Sequence, residues 1–194
     1  MPSKYFQELV RAMRILGEMD DTLFVGQGVG CAGTTMTDTL NEVPRDKLLE
    51  FPVAEDLQAG YCLGLALTGK LPVCIFPRWN FMLCAANQIV NHIDRLPIYS
   101  NGGYKPKMII RVAVPVTDPF DPGPQHDDDF TLAFKHMLRT VQLLRLPEAE
   151  DIVPAYTWAA QHDGVTILVE YTDQYGAIPS GVPEREMEKL DAVR

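Results

Sequence analysis

The chain has 194 residues, of which 46% are hydrophobic and 22% charged, a balance typical of a folded globular domain and not of a disordered one. Its 26 acidic and 17 basic residues give a formal net charge of −9, which would repel a phosphate backbone and argues against nucleic-acid binding. No apolar run approaches the roughly 20 residues that a membrane helix needs, and charged residues interrupt the N-terminal segment, so we expect neither a membrane anchor nor a secretory leader.

Short apolar runs and amphipathic stretches alternate along the chain. The runs are rich in Val, Ile and Leu with little polar alternation, which is typical of strands buried on both faces of a parallel sheet. This alternation predicts an α/β fold, a three-layer arrangement in which helices flank a mostly parallel sheet. In chain order the predicted elements are helix Tyr5–Leu16, strands Thr22–Gly26 and Leu48–Pro52, helix Glu55–Leu67, strand Val73–Phe76, helix Phe81–Ile93, strand Met108–Val114, a helix beginning near Phe130, strand Thr140–Leu144, helix Pro147–Gln161 and strand Val165–Tyr171.

The length predicts a single domain over residues 1–194, since typical domains contain about 100–200 residues. The charged segment Pro183–Arg194 is expected to form a terminal helix.

In Gly26–Gly33 a tight turn is favoured over a dinucleotide-binding loop, because no clear acidic residue follows a second strand. Four prolines in Val114–Asp129 predict a loop.

The four cysteines are widely spaced and form no CxxC pair. Three of them lie in apolar stretches, where cysteine usually behaves as a small buried hydrophobic residue. We therefore expect neither disulfides nor a cysteine metal site, and a reducing cytoplasm fits this usage best.

Several residues could carry chemistry, but the local pattern gives each a plainer explanation. Glu55 begins a helix, where an acid interacts favourably with the helix dipole by about 0.3–1 kcal/mol. Trp79 and Phe81 open the next helix, and aromatic residues there belong to the core more often than to a ligand site. His126 precedes three consecutive aspartates, Asp127–Asp129, which cannot easily converge on one metal ion, so capping of the following helix is favoured.

The order and spacing of three blocks resemble the beta subunits of pyruvate and branched-chain 2-oxo acid dehydrogenases, and the same pyrimidine-binding module of transketolase. In that family a proline, a small residue and an acid precede a Gly-rich helix, a strand leads into an aromatic block, and a QH pair precedes a helix that ends in His. The similarity covers about residues 15–175. A Ser–Gln pair that often follows the first His is replaced here by Asp127–Asp128. The matching residues are Pro52, Ala54 and Glu55, then Phe76–Asn91 with Asn80–Phe81, then Gln125–His126 and His136.

The resemblance implies thiamine diphosphate as cofactor and assigns roles to residues of this chain. Glu55 would hydrogen-bond the ring nitrogen of the aminopyrimidine and so activate the cofactor. Phe81 matches the aromatic residue that stacks on the pyrimidine, and Trp79 is a second candidate contact. His126 would face the substrate. Two arginines, Arg78 and Arg111, are candidates to meet an anionic group of the substrate, or they are surface or interface charges.

The sequence lacks the GDG motif and distal Asn with which this family holds Mg²⁺ and the diphosphate. We therefore expect a separate alpha-type subunit to supply that half of the site, in an assembly such as a heterotetramer. The chain alone should then be inactive, and no metal site is expected within it.

The transketolase-type C-terminal domain of the beta subunits is also expected to be absent, so a conventional dehydrogenase complex with a lipoyl acyltransferase core is doubtful. The resemblance implies a 2-oxo acid or a ketose as substrate, and decarboxylation, carboligation or ketol transfer as the reaction. The alternative is a non-catalytic regulatory or scaffolding subunit, against which the retained Glu55 argues.

Overall fold

The computed structural model describes residues 2–31, 34–114 and 123–176. The predicted terminal helix 183–194 and most prolines of the 114–129 loop lie outside these ranges. The helices are α1 (Lys4–Gly17), α2 (Glu55–Leu67), α3 (Trp79–Cys84), α4 (Leu96–Tyr99), α5 (Thr131–Met137) and α6 (Ala149–Gln161). The strands are β1 (Thr22–Gly26), β2 (Leu48–Glu50), β3 (Leu71–Phe76), β4 (Met108–Val114), β5 (Gln142–Arg145) and β6 (Val165–Tyr171). Shorter 3-10 turns are Thr37–Leu40, Arg45–Lys47 and Thr172–Tyr175.

The strands form one six-stranded sheet in the order β2-β1-β3-β4-β6-β5. Every pairing between these strands is parallel. The predicted α/β fold with a mostly parallel sheet is therefore confirmed, and each predicted strand is present with its ends moved by no more than two residues.

Both faces of the sheet are covered, because successive residues of a strand point to opposite sides. In β1, Phe24 packs in the apolar cluster that includes α1 and α6, whereas the next residue, Val25, packs in the cluster that includes α2 and α3. The continuous apolar runs of β3 and β4 are explained by this double burial. Within the described ranges, no helix is long and apolar enough to cross a membrane.

The predicted helix Phe81–Ile93 is interrupted. An α-helix ends at Cys84, and a π-helical segment follows at Gln88–Ile93. This segment ends where the N–H of Asp94 donates to the carbonyl of Ile89, five residues back, at 2.9 Å. The fully buried Asp94 carboxylate also accepts the N–H groups of residues 139, 140 and 141 at 2.8–3.0 Å. That distant contact fixes the end of the segment, and helical periodicity gives no sign of it.

Arg111 was a candidate to meet a substrate anion or to be a surface charge, and the structure supports neither role. Its side chain is fully buried in β4, where Nε and Nη2 donate to the Glu170 carboxylate of β6 at 2.7 and 2.9 Å. Tyr156 and Tyr175 also donate to Glu170, and Thr39 accepts from Arg111 at 3.2 Å. Burial acts to lower the pKa of Arg111, but the Glu170 charge more than offsets this and raises it. The arginine is thus one half of a buried ion pair.

We predict that Glu170→Ala lowers the free energy of unfolding by about 3–5 kcal/mol, because it leaves the Arg111 charge buried without its partner. Glu150→Ala is the control, since Glu150 pairs with Lys4 on the open surface, and it should leave the denaturation midpoint unchanged. Urea unfolding followed by circular dichroism measures both. Equal midpoints for Glu170→Ala and the native chain would contradict this account.

Candidate active site

The candidate residues follow the carboxyl ends of four adjacent strands. Gln27 comes after β1, Glu55 after β2, Phe81 after β3, and His126 at the end of the loop that leaves β4. From β1 the chain passes to β2 on one side, whereas β3 leads to β4 on the other. In open α/β sheets a crevice forms outside the strand ends at such a reversal, and ligands bind there.

Glu55 is the first residue of α2 and is only 9% exposed. The Gln27 side chain donates from Nε2 to Glu55 Oε1 at 3.1 Å. No other hydrogen bond to the Glu55 carboxylate is found among residues 2–31, 34–114 and 123–176. The position also suits a negative charge because it faces the N-terminus of the helix. Glu55 is thus a largely buried acid with hydrogen-bonding capacity to spare.

The described part of the Gly-rich segment after β1, residues 27–31, turns sharply, with Gly28 at φ +65°. A 3-10 turn follows at Thr37–Leu40. The N–H groups of Gly28, Val29 and Gly30 donate to the carboxylate of Glu50, at the end of β2, at 2.7, 2.9 and 2.7 Å. These donors, which a dinucleotide-binding loop would offer to phosphate, are used by a carboxylate of the chain itself.

Phe81, His126 and Arg78 come together at the end of β3. The Phe81 and His126 rings meet edge to face, with centroids 5.5 Å apart and an interplanar angle of 76°. Arg78 donates from Nη1 to the His126 carbonyl at 3.2 Å and so anchors the loop that carries the imidazole. Partial burial lowers the pKa of Arg78, although an arginine remains charged at neutral pH. All three side chains retain some exposure.

The aspartates after His126 point to different partners. Asp128 accepts from the Asn80 amide at 2.8 Å, which ties the His126 loop to α3 a second time. Asp129 accepts the N–H of Thr131, the first residue of α5, at 2.9 Å and pairs with Arg145 at 3.1 Å. The expected role in capping the next helix therefore falls to Asp129. Within the described ranges, no three His, Cys, Asp or Glu residues converge as metal ligands.

Trp79 does not lie in the crevice with Phe81. Its side chain is fully buried, and its ring centroid is 5.2 Å from that of Phe134 in α5. The simpler expectation for an aromatic residue at a helix start, core packing, therefore describes Trp79. Arg111 is likewise enclosed in the core with Glu170.

Sequence reasoning missed Gln27 and Glu50, and it named Asn80 in a motif without giving it a role. Each of the three acts through a contact between residues that are 20 to 48 positions apart in the sequence. The local signals were slight. Gln27 is a polar residue directly after a buried strand, and Glu50 is the acid that ends the next strand.

Known proteins share this sequence pattern and this fold. No protein-family model matches the chain. The pyruvate dehydrogenase E1 component subunit beta of Cyanidium caldarium is 31% identical over 116 residues, 57% of this chain and 36% of that protein. The 2-oxoisovalerate dehydrogenase subunit beta of Bacillus subtilis is 26% identical over 111 residues, 55% of this chain and 34% of that protein. Thus the matched part spans about a third of these relatives.

A solved structure described as a split-gene transketolase, an inactive beta4 tetramer, superimposes with a TM-score of 0.66 at 18% identity. The match covers 93% of this chain and 54% of that one. Together the comparisons confirm that the chain resembles dehydrogenase beta subunits in sequence and transketolase in fold, as its three sequence blocks predicted.

The positions of Trp79 and Phe81 predict losses of stability of different size. Trp79→Ala should cost about 3–5 kcal/mol of unfolding free energy, because it empties a fully buried site. Phe81→Ala should cost clearly less, because its ring is partly exposed. Chemical denaturation of both variants, with Trp79→Phe as a milder change at the buried site, checks this. Similar losses for the two alanine variants would contradict the assignment of Trp79 alone to the core.

Proposed function

We propose that this chain is the pyrimidine-binding subunit of a split thiamine diphosphate-dependent enzyme that acts on a 2-oxo acid or a ketose. The observation that carries the proposal is Glu55, a largely buried carboxylate at the strand-order reversal that is hydrogen-bonded by Gln27. Burial of a carboxylate is costly unless hydrogen bonds or opposite charges compensate for it, and among the described residues only Gln27 donates to this one. A locally unfavourable arrangement of this kind is typical of functional sites, and Glu55 resembles the activating acid of this family.

The chemical types of the described residues suit an aminopyrimidine ring. A planar, nitrogen-containing ring needs a hydrogen-bonding acid at its edge and an aromatic or apolar surface against its face. Glu55 offers the first, and Phe81 of the next strand end offers the second. When bound, thiamine diphosphate supplies an electron sink for making or breaking a bond beside a carbonyl group.

Residues of this chain would then have separate roles in binding and proton transfer. Glu55 would hold a proton between its carboxylate and the ring nitrogen, while the Gln27 bond fixes the orientation of the acid. His126, whose ring is held against Phe81, would donate or accept a proton at the substrate. Arg78 is the remaining arginine candidate for an anionic substrate group, since Arg111 is paired in the core.

A separate subunit that holds Mg²⁺ and the diphosphate is part of the proposal, because the sequence contains no GDG motif. Three apolar residues at and just before the start of α2 are exposed, Val53, Leu57 and Tyr61, by 80%, 61% and 44%, and the last two share one helix face. On the same helix a Cβ added at Gly64 would meet nothing within 4 Å, so another backbone could approach closely there. Apolar patches of this kind mark protein interfaces. The partner subunit would contact this face of α2.

We predict that Glu55→Ala lowers kcat of the reconstituted complex by at least about 100-fold, the lower end of what proton-transfer groups contribute. Glu55→Gln tests whether the carboxylate itself is required, because glutamine keeps nearly the same side-chain shape without the acidic group. Asp56→Asn is the matched control, since Asp56 is the adjacent, exposed acid of the same helical turn, and it should retain native activity. The assay follows 2-oxo acid or ketose turnover by the chain co-purified with a GDG-bearing partner.

Full activity of Glu55→Ala in that complex would refute the catalytic assignment and favour the regulatory or scaffolding alternative. The isolated chain supplies a second expectation: it should show no turnover with thiamine diphosphate and Mg²⁺. Robust turnover without a partner would refute the split site.

A further inference from the structure

Glu50 is exposed and ends an edge strand, yet its carboxylate is fully engaged by backbone donors. One oxygen accepts from Gly28 at 2.7 Å, and the other accepts from Val29 and Gly30 at 2.9 and 2.7 Å. Hydrogen bonds to an ionised acceptor are roughly twice as strong as neutral ones. Three such bonds, from consecutive N–H groups, fix the conformation of residues 28–30. We call these residues the 28–30 turn.

Gln27 lies between this turn and a second fixed point. Its other neighbour, Gly26, pairs with Ile75 of β3 so closely that a Cβ on Gly26 would come within 2.6 Å of the Ile75 carbonyl oxygen. Gly26 also accepts the N–H of Phe51 at 2.9 Å. The backbone of Gln27 is therefore constrained on both sides, by the sheet before it and by the Glu50 contact after it.

The constrained residue is the one that donates to Glu55. We infer that Glu50 is a positioning residue for Glu55, acting through the 28–30 turn and the side chain of Gln27. The inference rests on the proposed function of Glu55 and deepens it. Glu50 itself would touch neither cofactor nor substrate. The Glu50 carboxylate determines the position of the Gln27 side-chain amide. That amide in turn determines which Glu55 oxygen accepts a hydrogen bond from Gln27 and which oxygen remains available to a ligand.

The first test uses the isolated chain and needs no activity. In Glu50→Ala, hydrogen exchange at the amides of Gly28, Val29 and Gly30 should quicken by at least about tenfold, the factor that corresponds to one ordinary hydrogen bond. The amide of Val112 in the central strand β4 should be unchanged. If Glu50→Ala fails to fold, Glu50→Gln replaces it, because the amide retains one acceptor oxygen and should show a smaller increase. Native exchange rates at all three amides would overturn the inference.

The second test follows the Gln27 side-chain amide by NMR. Its resonances should move in Glu55→Gln, which changes the acceptor, and also in Glu50→Ala, which releases the turn. Glu148→Gln, a change at an exposed acid at the start of α6, should leave them in place. A Gln27 amide that responds to Glu55→Gln but not to Glu50→Ala would show that the turn does not position it, and would overturn the inference.

The third test is a double-mutant cycle in the complex with the GDG-bearing partner. Gln27→Ala and Glu50→Ala should each lower kcat by about tenfold with the substrate KM little changed, and the double variant should be no slower than Gln27→Ala. Multiplied losses would mean that Glu50 acts independently of Gln27. If the native complex binds no thiamine diphosphate in calorimetry, the proposed function fails, whereas the exchange and NMR tests still decide whether Glu50 positions Gln27.

Discussion

The parallel register of the sheet is the constraint on which the site depends. Every strand pair is parallel, so the carboxyl ends of all six strands lie at the same end of the sheet. Residues that are far apart in sequence meet there. The strand order reverses between β1 and β3, which is where ligands bind in open α/β sheets. Gln27 and Glu55 meet on one side of the reversal, and Phe81 and His126 meet on the other. A register shift in β1 or β3 would separate these pairs.

Much of the fold could be predicted because strands that are buried on both faces of a sheet consist of nearly uninterrupted Val, Ile and Leu, and this pattern is visible in the sequence. Helix α2 was predicted residue for residue. The helix after β3 was not, because its π-helical end is set by Asp94, whose partners lie more than 40 residues further on. Periodicity reports which face of a helix is apolar, and it carries no information on a polar group that a distant backbone segment captures.

The site was predicted unevenly for the same reason. Glu55, Phe81 and His126 were singled out by motif, and in the structure they follow the carboxyl ends of β2, β3 and β4. Arg111 looked like an available cation because a sequence does not show that the neighbouring strand brings Glu170, 59 residues later, within hydrogen-bond distance of it. Trp79 is two residues from Phe81, and only the tertiary packing, with Phe134 among its partners, distinguishes the core ring from the partly exposed one.

The central claim is that the Glu55 carboxylate meets the pyrimidine ring of thiamine diphosphate. A crystal structure of this chain with its diphosphate-binding partner and the cofactor tests it most directly. The account predicts a Glu55 oxygen within hydrogen-bond distance of a pyrimidine ring nitrogen, about 2.6–3.0 Å, with Gln27 on the other oxygen and Phe81 against the ring. A cofactor ring bound away from Glu55, or a complex that excludes the cofactor, would contradict it.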